Sequence, residues 1–304
     1  MEGYYLTISD IKDYLFKGRS FSLPTEAMKR VEECYAFLKD FARDRVIYGI
    51  NTGFGPMAQW RVEEADLKAL QYNIIRSHAT GAGEPLQPLY VKAAMLARVG
   101  TFLQAGSGIH PEVIRLLAEF INRGIYPFIP LTLIGEGEVF YRGERKKSAE
   151  VLSQCNLKPI SIHIREGLSA TNGTSVMTGI AAVNQIYAER LLELALHQAV
   201  WMNEIAGSYD DWMSIPLNAS RRHSGQQYAA QRMREIAQGS GSLLKREHYL
   251  YNKELNGEKL FSRKVQAYYS LRCTPQILGP IQETYSNSRN VIERELNSVC
   301  DNPV

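Results

Sequence analysis

Cysteine is scarce. Cys34, Cys155, Cys273 and Cys300 are the four in 304 residues, and none falls in a C-x-x-C or paired-histidine spacing, which removes the usual sequence grounds for a metal centre or a disulfide framework and leaves reduced, partly buried thiols as the expectation. Long apolar runs are missing too: nowhere is there the ~18-residue stretch that a membrane helix needs, and the opening MEGYYLTISDIKDY lacks the basic-then-apolar pattern of a secretory signal. A cytoplasmic protein without a membrane partner is expected. Nor is there a strong excess of one charge. The net charge is +3, with only short basic clusters such as Arg142 to Lys147, so nothing argues for nucleic acid. The chemistry of a small molecule fits better.

What is present is an ordinary globular composition, 45% hydrophobic and 22% charged, with strong helical periodicity. Between Pro24 and Ala42 the apolar positions Met28, Val31, Tyr35, Leu38 and Phe41 recur three or four apart, which predicts an amphipathic helix. A similar pattern predicts a helix from Tyr90 to about Leu103, and Pro111 to Asn122 reads as a helix with proline near its first turn and Gly124 as its stop. From Val176 to about Ala206 a proline-free stretch dense in Ala, Leu, Ile and Glu predicts one helix of about 45 Å at ~1.5 Å per residue. A last helix is predicted from Pro280 to about Asn297. Strand signals are short: Tyr4 to Ile8, Val139 to Tyr141 before the Arg142-Gly143 turn, and Ser161 to Ile164.

Several residues could carry chemistry. In YGINTGFG (Tyr48 to Gly55) a tyrosine precedes a glycine-rich turn whose spacing matches neither a P-loop nor a dinucleotide fingerprint. Arg272 in YSLRC has a planar fork suited to a carboxylate, or to an internal ion pair. Asn172 could cap a helix beginning near Thr174, and His78 could be a hydrogen-bonded interior histidine.

Taken together and in order, YGINTGFG, LQYNIIRSHATGAGEP (70–85), LIGEGEVFYRGER (133–145), IREGLSATNGTS (164–175), RRHSGQQ (221–227), VQAYYSLRCTPQILG (265–279) and ELNSVCDNP (295–303) make the chain resemble the aromatic amino-acid ammonia-lyases, the histidine, tyrosine and phenylalanine enzymes. GFGPMAQ and NGTSVMTG look most like bacterial tyrosine ammonia-lyases. The resemblance implies a mainly α fold in two parts: a small mixed α/β region over 1–175 that bears the electrophile, and over 176–304 the beginning of a long-helix bundle whose C-terminal continuation is absent. It implies a cytoplasmic homotetramer whose active sites are shared between subunits.

The implied reaction removes ammonia from an aromatic L-amino acid, tyrosine to coumarate or histidine to urocanate, with a methylidene-imidazolone electrophile cyclised from an internal Ala-Ser-Gly and no metal. A 2,3-aminomutase of the same family is the alternative. By resemblance Tyr48 is the general base, and Arg272 clamps the substrate carboxylate. Asn172 holds the carboxylate or amino group, and Gln266 and Tyr269 support the electrophile. His78 contacts the aromatic ring, which makes phenylalanine the least favoured substrate, and Gly55 lines the site. Ala267 stands where histidine lyases commonly have Asp.

The chain departs from the family at the electrophile itself. Pro130 runs directly into Leu131 where the Ala-Ser-Gly loop belongs, and Ala170-Thr171-Asn172-Gly173 lacks the Ser-Gly pair needed to replace it. Either the sequence joins pieces of a longer protein or it is a deletion product, a lyase-like subunit without turnover. The first is preferred, and it predicts a Cα separation at 130 to 131 far beyond the ~3.8 Å of a peptide bond.

Overall fold

The computed structural model describes residues 4–128, 130–251, 257, 259–261 and 263–301. Its contacts divide the chain into two compact units: residues 1–184 with 291–304, and residues 185–290. The division falls inside the long helix rather than at 175, and it returns the last segment to the first unit.

In the first unit, α1 (Ile8–Phe16) replaces the strand expected over Tyr4 to Ile8. Two local features explain the change. Thr7 and Asp10 form a reciprocal capping box that starts a helix at Ile8. The backbone of Leu6, which a strand neighbour would otherwise satisfy, is taken up by a side-chain amide: Leu6 N–H donates to Asn297 Oδ1 at 2.7 Å, and Asn297 Nδ2 donates back to the Leu6 carbonyl at 2.9 Å. Asn122 clasps Phe21 in the same way, at 2.7 and 2.8 Å.

There follow α2 (Thr25–Phe41), α3 (Leu67–Ser77), α4 (Pro88–Leu103) and α5 (Pro111–Arg123), the last closed by Gly124 at φ +66°. The core lies between α4 and α5, where Leu96, Val99, Phe102, Ile114 and Phe120 are all within 1% of complete burial. A small antiparallel sheet joins β1 (Ile125–Pro127), β2 (Glu138–Tyr141) and β3 (Glu144–Lys147) in that order. The α6 helix (Ser148–Gln154) and α7 helix (Glu166–Thr171) complete the unit. Ser161 to Ile164 is not a strand. Ile162 is buried and its neighbours Ser161 and His163 are exposed, as the alternation predicted, but the backbone N–H of His163 goes to the Glu166 carboxylate at 2.7 Å instead of to a neighbouring strand.

Pro130 and Leu131 open a continuous 3-10 turn, Pro130–Ile134, so the wide separation predicted there is not found, and the preference for joined pieces that rested on it is not borne out. The turn is tied down by Ser148 Oγ donating to the Thr132 carbonyl at 3.1 Å and by Ile160 N–H donating to Leu133 at 2.9 Å.

The long helix α8 (Ser175–Ile205) carries the chain into the second unit, which also contains α9 (Ile215–Ala219), α10 (Ser224–Ile236), α11 (Arg246–Leu250) and α12 (Tyr269–Arg272), and from which α13 (Thr274–Leu296) returns. Leu192, Leu196, Val200, Trp212, Ala229 and Met233 form its core. The α13 helix begins six residues before Pro280 because Pro275 already serves the first turn, leaving Pro280 in the interior. Among the described residues no helix is long and apolar enough to cross a membrane.

The α10 and α13 helices touch through glycines. A Cβ on Gly225 would lie 2.1 Å from the Gly279 carbonyl oxygen, and one on Gly279 would lie 2.6 Å from the Gln226 nitrogen. Both obstacles are backbone and cannot rotate away. Gly225→Val is expected to destabilise the protein by about 1–3 kcal/mol, read as a lowered Tm, whereas Ala at the exposed Ser220 should leave Tm within a degree or so.

Candidate functional site

Tyr48 lies in a tight loop built by its neighbours' side chains. Asn51 Oδ1 accepts the Ile47 N–H at 2.7 Å while its Nδ2 donates to the Arg45 carbonyl at 2.6 Å, and Thr52 Oγ1 accepts from Gly49 N–H at 3.1 Å. The loop then doubles back: Val62 N–H donates to Asn51 at 3.0 Å and Gly53 N–H to Trp60 at 3.0 Å. Only glycine fits at 53, where a Cβ would fall 2.5 Å from the Met57 carbonyl oxygen. The fold-back brings Gly55 against Tyr48, so that the Gly55 N–H donates to the phenolic oxygen at 3.3 Å. The Tyr48 ring stands edge-on to Phe54 and remains 42% exposed. Two of the predicted site residues, Tyr48 and Gly55, are therefore in direct contact, and the phenolic oxygen is positioned by a backbone donor.

One buried side chain joins this loop to the rest of the site. Gln71, on α3 and fully buried, donates from Nε2 to the Gly49 carbonyl at 2.7 Å and accepts the Leu168 N–H of α7 at Oε1, 3.3 Å away. The packing at this point leaves no slack: a Cβ on Gly167 would lie 2.3 Å from the Gln71 carbonyl oxygen, and one on Gly49 would lie 2.5 Å from Leu168 Cδ2. Sequence reasoning did not single out Gln71. The available signal was a polar residue three and four positions before Ile74 and Ile75, on the face those residues bury.

His78 and Asn172 end the two helices that Gln71 joins. His78 is the C-cap of α3. Its Nδ1 lies 2.9 Å from the Ile74 carbonyl oxygen, which can only accept, so the contact requires a proton on Nδ1, and in the neutral ring Nε2 is then the acceptor. The ring is exposed, not interior. Asn172 is the C-cap of α7, its N–H donating to Leu168 at 2.9 Å, so the expectation of an N-cap to the following helix is corrected. At the neighbouring Gly173, φ is +110° and a Cβ would meet both Arg98 Nη1 and the Cys300 carbonyl oxygen at 2.9 Å. Burial works against ionising the Cys300 thiol, yet hydrogen bonds with Thr101 and Thr174, together with the charge of Arg98, hold it below the usual thiol range. Behind these residues Arg165 is fully buried, its Nη2 donating to the Asp301 carbonyl at 3.1 Å. Asn302 and Pro303 of ELNSVCDNP lie outside the described residues.

The remaining predicted residues belong to the second unit. Tyr269 opens α12 and Arg272 closes it, with the guanidinium carbon 4.3 Å from the Tyr269 ring centroid. Arg272 Nε donates to the Ala267 carbonyl at 3.2 Å, which leaves its two Nη groups as the fork for an anion. Tyr269 is 73% exposed, and Gln266 is exposed as well.

The residues present do not fit the methylidene-imidazolone group. It is made from the chain's own Ala-Ser-Gly, no such tripeptide occurs in the sequence, and the turn that starts at Pro130 occupies the place expected for it.

The sequence matches the family described as "Aromatic amino acid lyase" over residues 6–132 and again over 129–304. The two stretches meet at the junction where the Ala-Ser-Gly loop is missing. A tyrosine 2,3-aminomutase from Chondromyces crocatus is 36% identical over 332 residues, covering 99% of this chain and 61% of that protein. At least 28 of those 332 positions have no residue of this 304-residue chain opposite them. A histidine ammonia-lyase from Koribacter versatilis is 32% identical, over 100% of this chain and 60% of that protein. Among solved structures, the Pantoea agglomerans phenylalanine aminomutase superposes with a TM-score of 0.92 at 28% identity, over 99% of this chain and 63% of that one. The chain thus spans about three-fifths of the length of the relatives it matches.

Gln71→Ala is expected to strand the Gly49 carbonyl and the Leu168 N–H. The cost is about 1–3 kcal/mol, read as a Tm several degrees lower, and a Tm unchanged within error would show that the clasp contributes nothing.

Proposed function

The chain belongs to the aromatic amino acid lyase family, and on that premise we propose that it forms the substrate-handling wall of an aromatic L-amino-acid ammonia-lyase acting on tyrosine or histidine. The observation that supports this most is the Tyr48 loop, with a phenolic oxygen held by the Gly55 N–H and anchored through Gln71 to the helices ending in His78 and Asn172. In this reading Tyr48 stands as the base that would take the β-proton once an electrophile is supplied, and the Nη groups of Arg272 hold the carboxylate. Asn172 positions the carboxylate or amino group. Nε2 of His78 accepts a hydrogen bond from a polar ring substituent, a phenol or an imidazole N–H, which a bare phenyl cannot offer. Gln266 and Tyr269 would support an electrophile that this chain does not contain, so no bond-breaking step is assigned to the chain as it stands. The setting is cytoplasmic, with a soluble amino acid as substrate.

A 2,3-aminomutase is the second reading, supported by the identity to a tyrosine 2,3-aminomutase. The third is a lyase-like subunit that binds without turnover, supported by the missing tripeptide.

Three preparations separate these readings. The chain as given should release no ammonia from tyrosine or histidine. The same chain with an Ala-Ser-Gly loop inserted between 130 and 131 should produce the ultraviolet absorbance of coumarate or urocanate. Tyr48→Phe in that background should lower the rate by about 10²–10⁴-fold, the usual worth of a general base. Turnover by the chain as given would overturn the electrophile requirement. A β-amino acid as product would replace the lyase with the mutase, and binding of L-tyrosine without product in the complete form would leave the subunit reading.

A homotetramer is part of the same proposal. Leu191, Leu194, Trp201 and Ile205 are exposed along α8, at spacings that place them in one stripe. Sedimentation is expected to show a species larger than the 34.4 kDa monomer, and a stable monomer at micromolar concentration would count against it.

A further inference from the structure

We propose that His110, Glu112 and His163 form a binding site for one divalent transition-metal ion, of which Zn²⁺ is the representative, beside the N-terminus of α5. The site uses none of the residues assigned to the amino acid. One ligand atom from each of the three side chains lies within 4.8 Å of the others, with His110 Nδ1 3.7 Å from Glu112 Oε2. Tetrahedral ligands at ~2.0–2.1 Å from zinc are about 3.4 Å apart, so one pair already has nearly the required separation. His163 and Glu112 are exposed and can close the remainder by side-chain rotation.

The two imidazoles are brought together by the backbone rather than by chance contact. The buried carboxylate of Glu166 accepts the His110 N–H at 3.2 Å on one oxygen, and the N–H groups of His163 and Arg165 at 2.7 and 3.3 Å on the other. One acidic group therefore holds both histidine-bearing segments. The rings stack with centroids 4.5 Å apart, and the Tyr35 ring stands edge-on to both, at 4.8 and 6.4 Å. His110 Nδ1 accepts the Glu112 backbone N–H at 3.3 Å, so this nitrogen presents a lone pair at the N-terminus of α5, with the Glu112 carboxylate 3.7 Å away. Metal binding exchanges that long hydrogen bond for a coordinate bond. Arg115, the nearest cation on α5, is paired with Glu32 at 2.6 Å.

Two neutral imidazoles and one carboxylate leave a fourth position for water. Such a set suits Zn²⁺, Co²⁺, Ni²⁺ or Cu²⁺, not the oxygen-seeking Mg²⁺ or Ca²⁺.

The test is calorimetric titration of the chelator-treated full chain with ZnCl₂ at pH 7.5, together with the visible d–d spectrum of the Co²⁺ form. One ion per chain, a Co²⁺ spectrum with nitrogen and oxygen ligands, and a higher Tm with Zn²⁺ are expected. Groups that merely stand behind metal ligands are worth ~10–100-fold in affinity, so His163→Ala and the milder Glu112→Gln should each weaken binding at least tenfold. The proposal is overturned if no ion binds, if both variants bind as the parent does, if MgCl₂ binds equally well, or if the Co²⁺ spectrum shows thiolate charge transfer from a cysteine.

Discussion

The amide of Gln71 holds three segments of the chain in one place. Its two ends pair with the Gly49 carbonyl and the Leu168 N–H, groups that would otherwise be buried without partners, and such a group costs about 1–3 kcal/mol when stranded. The position of Tyr48 depends on this pairing, because Gly49 is the next residue. So does the approach of α3 to α7, where glycines at 49 and 167 leave no room for a methyl group. Loop, histidine-bearing helix and asparagine-bearing helix are therefore tied together by one buried side chain.

The same device recurs through the first unit. Asn297 closes both hydrogen bonds of Leu6, Asn122 those of Phe21, and Asn51 ties Ile47 to Arg45. A primary amide carries a donor and an acceptor at the spacing of a peptide group, so it can stand in for one rung of a sheet. This is why a largely helical unit tolerates extended segments with little sheet around them, and why the segments carrying Tyr48 and His163 can keep irregular backbones. Glu166 extends the device with a carboxylate that gathers three N–H groups.

Much of the architecture was legible in the sequence because it is local. Apolar residues three and four apart located α2 and α4, proline and glycine at its ends located α5, and a proline-free run dense in helix formers located α8, each to within two residues. The failures have specific causes. Tyr4 to Ile8 and Ser161 to Ile164 have strand-like composition, but their hydrogen bonds go to side chains distant in sequence or to a cap, and composition does not register that. The α13 helix was begun at the wrong proline because either Pro275 or Pro280 can serve a first turn.

By itself the sequence determined the family, through ordered motifs whose residue types survive any uncertainty in packing, and it determined that the Ala-Ser-Gly needed for the electrophile is missing at 130 to 131. Tertiary structure alone decided which of the singled-out residues meet. Gly55 reaches Tyr48 because a loop doubles back on glycine, and Arg272 covers Tyr269 because a short helix places them one turn apart. His110 and His163, 53 residues apart in the chain, stack because Glu166 holds both backbones. Periodicity and motif spacing are properties of neighbours along the chain, and the Arg272–Tyr269 contact is still of that kind, whereas His110 and His163 become neighbours only when distant segments pack together.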